Sequence, residues 1–185
     1  MKELFEAARA GDLARVQALV DADPTLAIFA AAILGDTQRL EELLTGNRSL
    51  VSAVSTDGWT PLHLAAFFGK GDAARLLLNK GATVTARSTN PMENTPLHAA
   101  AAGKHAEIVK LLLDRGANAN ARQNGGWVPL HSAAQNGDIE SARALIEAGA
   151  DTSVRADNNQ QPMDLALTAG RQAMVEFLEA IGARP

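Results

Sequence analysis

The chain has 185 residues, 46% of them hydrophobic and 21% charged, an ordinary composition for one folded globular domain. A net charge of -4 argues against a broad basic footprint for nucleic acid or an anionic membrane, so neither is an expected partner. With no cysteine, disulfides, cysteine-ligated zinc and thiol nucleophiles are excluded together. Aromatics make up only 4% and alanine dominates the apolar positions, which points to closely packed helices. The N-terminus, Met1-Lys2-Glu3-Leu4-Phe5-Glu6, carries charge at once, and no later run approaches the roughly 18 apolar residues of a membrane span, so a cytoplasmic location is the expectation. The triplet Asn47-Arg48-Ser49 is read as a chance match to a glycosylation signal.

In chain order, the first predicted unit, 1–20, carries Ala7-Ala8 followed by Gly11-Asp12. The second, 21–54, reads Leu26-Ala27-Ile28-Phe29-Ala30-Ala31-Ala32 and then Gly35-Asp36; only 24 residues separate Gly11 from Gly35, which leaves the first unit no room for a full hairpin. In the third, 55–87, Thr60-Pro61-Leu62-His63-Leu64-Ala65-Ala66 supplies a capping hydroxyl and a proline where a helix has no use for the N–H. That helix should end near Gly69, and a second, with Leu76-Leu77-Leu78 on its buried side, should close at Gly81. The fourth, 88–122, repeats this as Thr95-Pro96-Leu97-His98-Ala99-Ala100-Ala101, Leu111-Leu112-Leu113 and Gly116. Lys104 stands there where the other units have glycine, so Gly103 is expected to take the left-handed conformation instead. The fifth, 123–155, has Val128-Pro129-Leu130-His131-Ser132-Ala133-Ala134 with Gly137, Leu145-Ile146 and Gly149. The sixth, 156–185, decays to Gln161-Pro162-Met163-Asp164-Leu165-Ala166-Leu167 and Gly170.

Thr60, Thr95 and Val128 lie 35 and then 33 residues apart, and a fixed period in this range means one supersecondary unit copied along the chain. The Thr-Pro-Leu-His-x-Ala-Ala core, the leucine run and the Gly-Ala-x-x-x-Ala-Arg exit resemble the ankyrin repeat over essentially the whole chain, and the short form is similar to small stand-alone ankyrin proteins of bacteria. The resemblance implies an all-α solenoid of helix-turn-helix units with projecting β-hairpin loops, about six repeats with degenerate capping repeats at the ends. It further implies a non-enzymatic protein-protein interaction module whose partner meets the hairpin tips and a concave groove lined by the first helices. A single domain, a monomer with self-association open, and no cofactor are the accompanying expectations.

Three histidines, His63, His98 and His131, fall in register and invite a metal reading. Equivalent residues of stacked helices lie about 8–10 Å apart, too far for one zinc ion to be held at about 2.1 Å by all three. The resemblance instead implies that each ties neighbouring loops together. Asp36, Asp72 and Asp138 sit where second helices start, as expected of caps and dipole partners. No phosphate loop, His-Glu-x-x-His or Gly-x-Ser-x-Gly is present. Arg87, Arg122 and Arg155 recur on the hairpin arms and are read as intrachain-paired or solvated charges.

The two positions after the Ala-Ala pair should face the groove: Ile33-Leu34, Phe67-Phe68, Ala102-Gly103, Gln135-Asn136 and Thr168-Ala169, a gradient from apolar to polar. Trp59 and Trp127 hold tip positions, and the longer tip between them, Ser88 to Asn94, carries Pro91 and Met92. The expected partner segment docks an apolar anchor over Ile33, Leu34, Phe67, Phe68 and Trp59, passes Ala102 and Gly103 closely, and meets the amides of Gln135, Asn136 and Asn158 to Gln161. The two tryptophans equally suit a place flat across their own hairpins, and the Phe pair suits filling space beside alanine. An apolar small molecule or lipid tail in the Phe/Trp region is the alternative occupant.

Overall fold

Helix pairs follow one another from end to end in the computed structural model, which describes residues 1–183; the last two residues of the sixth predicted unit lie outside it. They are α1 (Lys2–Ala10) and α2 (Leu13–Ala22), α3 (Ala27–Leu34) and α4 (Thr37–Gly46), α5 (Pro61–Phe67) and α6 (Gly71–Asn79), α7 (Pro96–Gly103) and α8 (Ala106–Asp114), α9 (Pro129–Asn136) and α10 (Ile139–Glu147), and α11 (Pro162–Thr168) and α12 (Gln172–Ala180). Helices α1, α3, α5, α7, α9 and α11 pack in that order as an inner row, and α4, α6, α8, α10 and α12 as an outer one, with each pair joined to itself. The interior between the rows is small: the Ala-Ala pairs from Ala65-Ala66 to Ala133-Ala134 are fully buried beside Leu62, Leu77, Leu97, Leu112, Leu130 and Leu145. Alanine at the inner-row contact lets helix backbones approach closely, and leucine from the outer row fills what remains.

Local chemistry sets the boundaries. The hydroxyl of Thr60 accepts from the His63 N–H at 3.4 Å with Pro61 at the first helical position, and Asp12, Asp36 and Asp138 accept from the N–H of Arg15, Arg39 and Ser141 at the starts of α2, α4 and α10. Asp72 lies in the first turn of α6, where its charge complements the dipole.

The connections differ from the expected hairpins. Among the described residues none is in strand conformation. Each later tip is instead a loop closed by one ladder-like bond, Ser55 N–H to Trp59 O, Ser88 N–H to Asn94 O, Gln123 N–H to Trp127 O and Ala156 N–H to Gln160 O. Successive tips are tied by Thr89 N–H to Gly58 O, Asn124 N–H to Met92 O and Asp157 N–H to Gly125 O, all 2.9 Å. The first two connections contain short 3-10 turns, Pro24–Leu26 and Arg48–Ser52, capped by Asp23 and Asn47. A row of tethered tips therefore flanks the inner row of helices on one side.

Candidate interaction surface

The histidine row is structural. Nδ1 of His63, His98 and His131 accepts from the N–H of Thr60, Thr95 and Val128, which leaves Nε2–H to donate into the next repeat, to Asn94 O at 3.0 Å, Trp127 O at 3.2 Å and Gln160 O at 3.1 Å. Burial holds His63 and His98 down to about 4 and lowers His131 as well, so the neutral form is the one present. Asp164 at the fourth position accepts from the Gln161 N–H. Among the described residues no group of three His, Asp or Glu is placed to hold a metal. The arginines are paired within the chain: Arg87 donates to Glu93 O and Arg122 O, Arg122 to Arg155 O, and Arg155 to Asn159 O.

At the N-terminal end the expected groove is already covered. Ile33 is only 1% exposed and belongs to the core, which corrects its placement on the groove surface. Leu34 is half-buried in a cleft with Val16, Val20 and Ala30, between α2 and α3, and so does not join the aromatic group either. The physical reason is α1, which packs on α3 and reaches past it: Phe5 meets Phe68 at 5.3 Å and Trp59 at 6.3 Å between ring centroids, and the Arg9 guanidinium stands 5.6 Å over the Phe67 ring. Trp59, Phe67 and Phe68 are brought together as expected, with Trp59 edge-on to Phe67 at 5.4 Å and Phe67 edge-on to Phe68 at 5.5 Å. Between α1 and the tip at Asp57 and Trp59 an open cleft of about 440 Å³ remains, lined by Phe5, Arg9, Trp59 and Phe67. Phe5 and Arg9 are the surface residues the repeat pattern missed; Leu4-Phe5-x-Ala7-Ala8 aligned with Leu62-His63-x-Ala65-Ala66 was the available signal.

The floor beyond is bare. Ala102 is exposed and Gly103 half-buried. Contrary to expectation, Lys104 itself takes the left-handed conformation (φ 63°) and Gly103 completes α7. The reason lies in the neighbouring repeat: His105 donates from Nε2 to Phe67 O at 3.0 Å, and a Cβ on Gly103 would sit 2.5 Å from that oxygen and 2.6 Å from the His105 ring. Gly103 is required for closeness and Lys104 is left to turn the chain. Asn136 donates to Ala101 O and Ala102 O, and Arg171 to Gln135 O, so one of the two expected amides is tied into the scaffold while the Gln135 side chain is exposed. Trp127 stacks on His131 at 5.5 Å and remains half-buried, and Met92, 51% exposed, stands at the intervening tip.

Stacked helix pairs with tethered tips along one side define the class, a helical-repeat solenoid. A sequence model of ankyrin repeats (3 copies) matches residues 4–88 and 84–156. The chain belongs to the ankyrin-repeat family, whose repeats are general protein–protein interaction modules and typically non-enzymatic. Among curated proteins it is similar to the ankyrin repeat and SAM domain-containing protein 6 of Rattus norvegicus, 32% identical over 98 residues, which cover 48% of this chain and 11% of that protein. The matched stretch is about a tenth of that relative's length. Among the described residues no helix is long and apolar enough to cross a membrane.

Proposed function

We propose that the chain is a binding platform for a protein partner and that an extended segment of that partner lies along the open groove from Ala102 to Gln135, flanked by the tips at Met92 and Trp127. The observation that carries this reading is a bare Ala102-Gly103 floor beside an exposed Met92 and a half-exposed Trp127, on loops whose backbones are tied tip to tip. Rigid aromatic and thioether groups on a fixed scaffold lose little entropy on binding, which is how a few side chains come to carry most of an interface. Gln135 supplies an amide to a polar part of the segment. A displayed peptide library selected on the wild-type chain tests this: selected peptides should bind Trp127→Ala and Met92→Ser at least about tenfold more weakly, the size of a hot-spot loss. Undiminished binding to both folded variants places the site on another face. For the small-molecule alternative in the Phe/Trp region, the cleft beside Phe5 and Trp59 is open and encloses an apolar ligand poorly.

A further inference from the structure

The first repeat is held to the solenoid by remarkably few kinds of contact. Leu4 and Ala7 are the buried residues of α1 and Val16 that of α2, against seven on α3. Among the described residues no hydrogen bond or ion pair joins 1–22 to the chain beyond Asp23; Lys2 pairs with Glu6 and Arg15 with Glu3, all inside the repeat. From α5 onward, by contrast, each inner helix is stitched to its successor through a histidine, with an arginine added at the last, and the repeat of α3 and α4 is tied onward by the Lys80–Glu41 ion pair. Apolar packing and the Arg9 contact over Phe67 are what keep α1 in place. Yet what it covers is the most aromatic part of the molecule, Trp59, Phe67 and Phe68, together with α3, whose sequence Ala-Ile-Phe-Ala-Ala-Ala-Ile-Leu has no polar side chain. The cover is also incomplete, since the cleft between α1 and the tip at Asp57 opens onto Trp59 and Phe67.

We propose that Trp59, Phe67 and Phe68 form a docking site for an amphipathic partner helix, that α1 is its resident occupant, and that the partner displaces α1. The occupant states the chemistry the site accepts: an aromatic residue set edge-on to Trp59 and tilted against Phe68, and one helical turn later an arginine over the Phe67 ring, the spacing of Phe5 and Arg9. A competing helix with Phe or Trp at one position and Arg four residues on meets the same contacts. It competes against a tethered segment at an effective concentration on the order of millimolar, so the exchange is graded by how well α1 holds. This site lies at the covered end of the groove and stands independently of whether the open stretch binds a peptide.

The probe is a labelled synthetic peptide of residues 1–22, titrated into full-length chains. Wild type should bind it weakly, and Phe5→Ala/Arg9→Ala, whose own α1 has lost its anchors, at least tenfold more tightly. Adding Phe67→Ser/Phe68→Ser should abolish the gain, and a peptide carrying the two alanines should fail on every chain. Circular dichroism and a cooperative melt establish that the variants are folded. Binding to Phe5→Ala/Arg9→Ala no tighter than to wild type, or unaffected by the Phe67/Phe68 changes, overturns the proposal. Hydrogen exchange on unmodified wild type gives a check that needs no variant: α1 and α2 should exchange well ahead of α5 to α9, and equal protection overturns displacement. A concentration-dependent dimer that exchanges residues 1–22 between copies, with no binding of free peptide, makes a second copy the occupant and overturns the partner helix.

Discussion

His63 and His98 each donate from Nε2 to the next repeat while Nδ1 accepts a backbone N–H, an arrangement available only to the neutral ring. Unfolded histidine titrates near 6.5, whereas burial holds these two at about 4. Between those values the unfolded chain takes up protons that the folded chain refuses, so stability is complete above pH 6.5 and falls as pH drops toward 4, with a slope approaching about 1.4 kcal/mol per pH unit for each such histidine. Urea midpoints at pH 7.5 and 5.0 should therefore separate clearly in wild type and less in His98→Gln, which starts lower but has one histidine fewer to titrate; identical separations contradict the assignment. Gly103 makes a steric case at the same scale. Alanine is the better helix former, but its Cβ would press on Phe67 O and the His105 ring, so Gly103→Ala should lose about 1–3 kcal/mol. Gly46→Ala, at the end of α4 with nothing within 4 Å, should gain up to about 1 kcal/mol, and denaturant midpoints of the two variants should move in opposite directions.

At the scale of elements, α7 ends on a lysine in the left-handed region, which costs an ordinary side chain about 1–2 kcal/mol, and the side chain is exposed. Lys104→Gly should accordingly raise the denaturant midpoint by the equivalent of about 1 kcal/mol; a lower midpoint would show that the Lys104 stem contributes packing. The helix pairs themselves were legible because their signals are local: a threonine cap, a proline at the next residue and a closing glycine act within one or two turns, and Thr60 to Gly69 holds all three. The exchange of roles between Gly103 and Lys104 was not, since it is decided by a contact between His105 and Phe67, 38 residues apart in sequence. Ile33 and Phe67 share one position of the repeat and the period assigns both to the groove, but a helix lying on top decides which of them meets solvent. Phe5 and Phe29 both stand where the inner repeats carry histidine, with no Thr-Pro step before them, so the period alone did not show that the Phe5 ring would reach past α3 to Phe68.

For the molecule as a whole, stability is a sum over repeats and the interfaces between them, so unequal interfaces make unequal cooperativity. The repeats carried by α5, α7, α9 and α11 share one kind of seam: a histidine Nε2–H to the next tip and, beyond α5, an arginine to the next arm. The last repeat depends on His131 to Gln160 O, Arg122 to Arg155 O and Arg171 to Gln135 O. Cutting the first two with His131→Leu/Arg122→Met leaves a carbonyl beside an apolar side chain and removes about 1–3 kcal/mol from that interface, besides the bond from the Val128 N–H at the start of α9. Wild type should then unfold with α5 to α12 as one unit, while the variant should lose α11 and α12 first, giving a two-step urea transition. Hydrogen exchange locates the step: amides of 162–180 should exchange faster in the variant while those of α5 to α8 keep their wild-type rates. If protection falls by the same factor in every helix, the seam is not a separable interface, and the solenoid from α5 onward opens only as a whole.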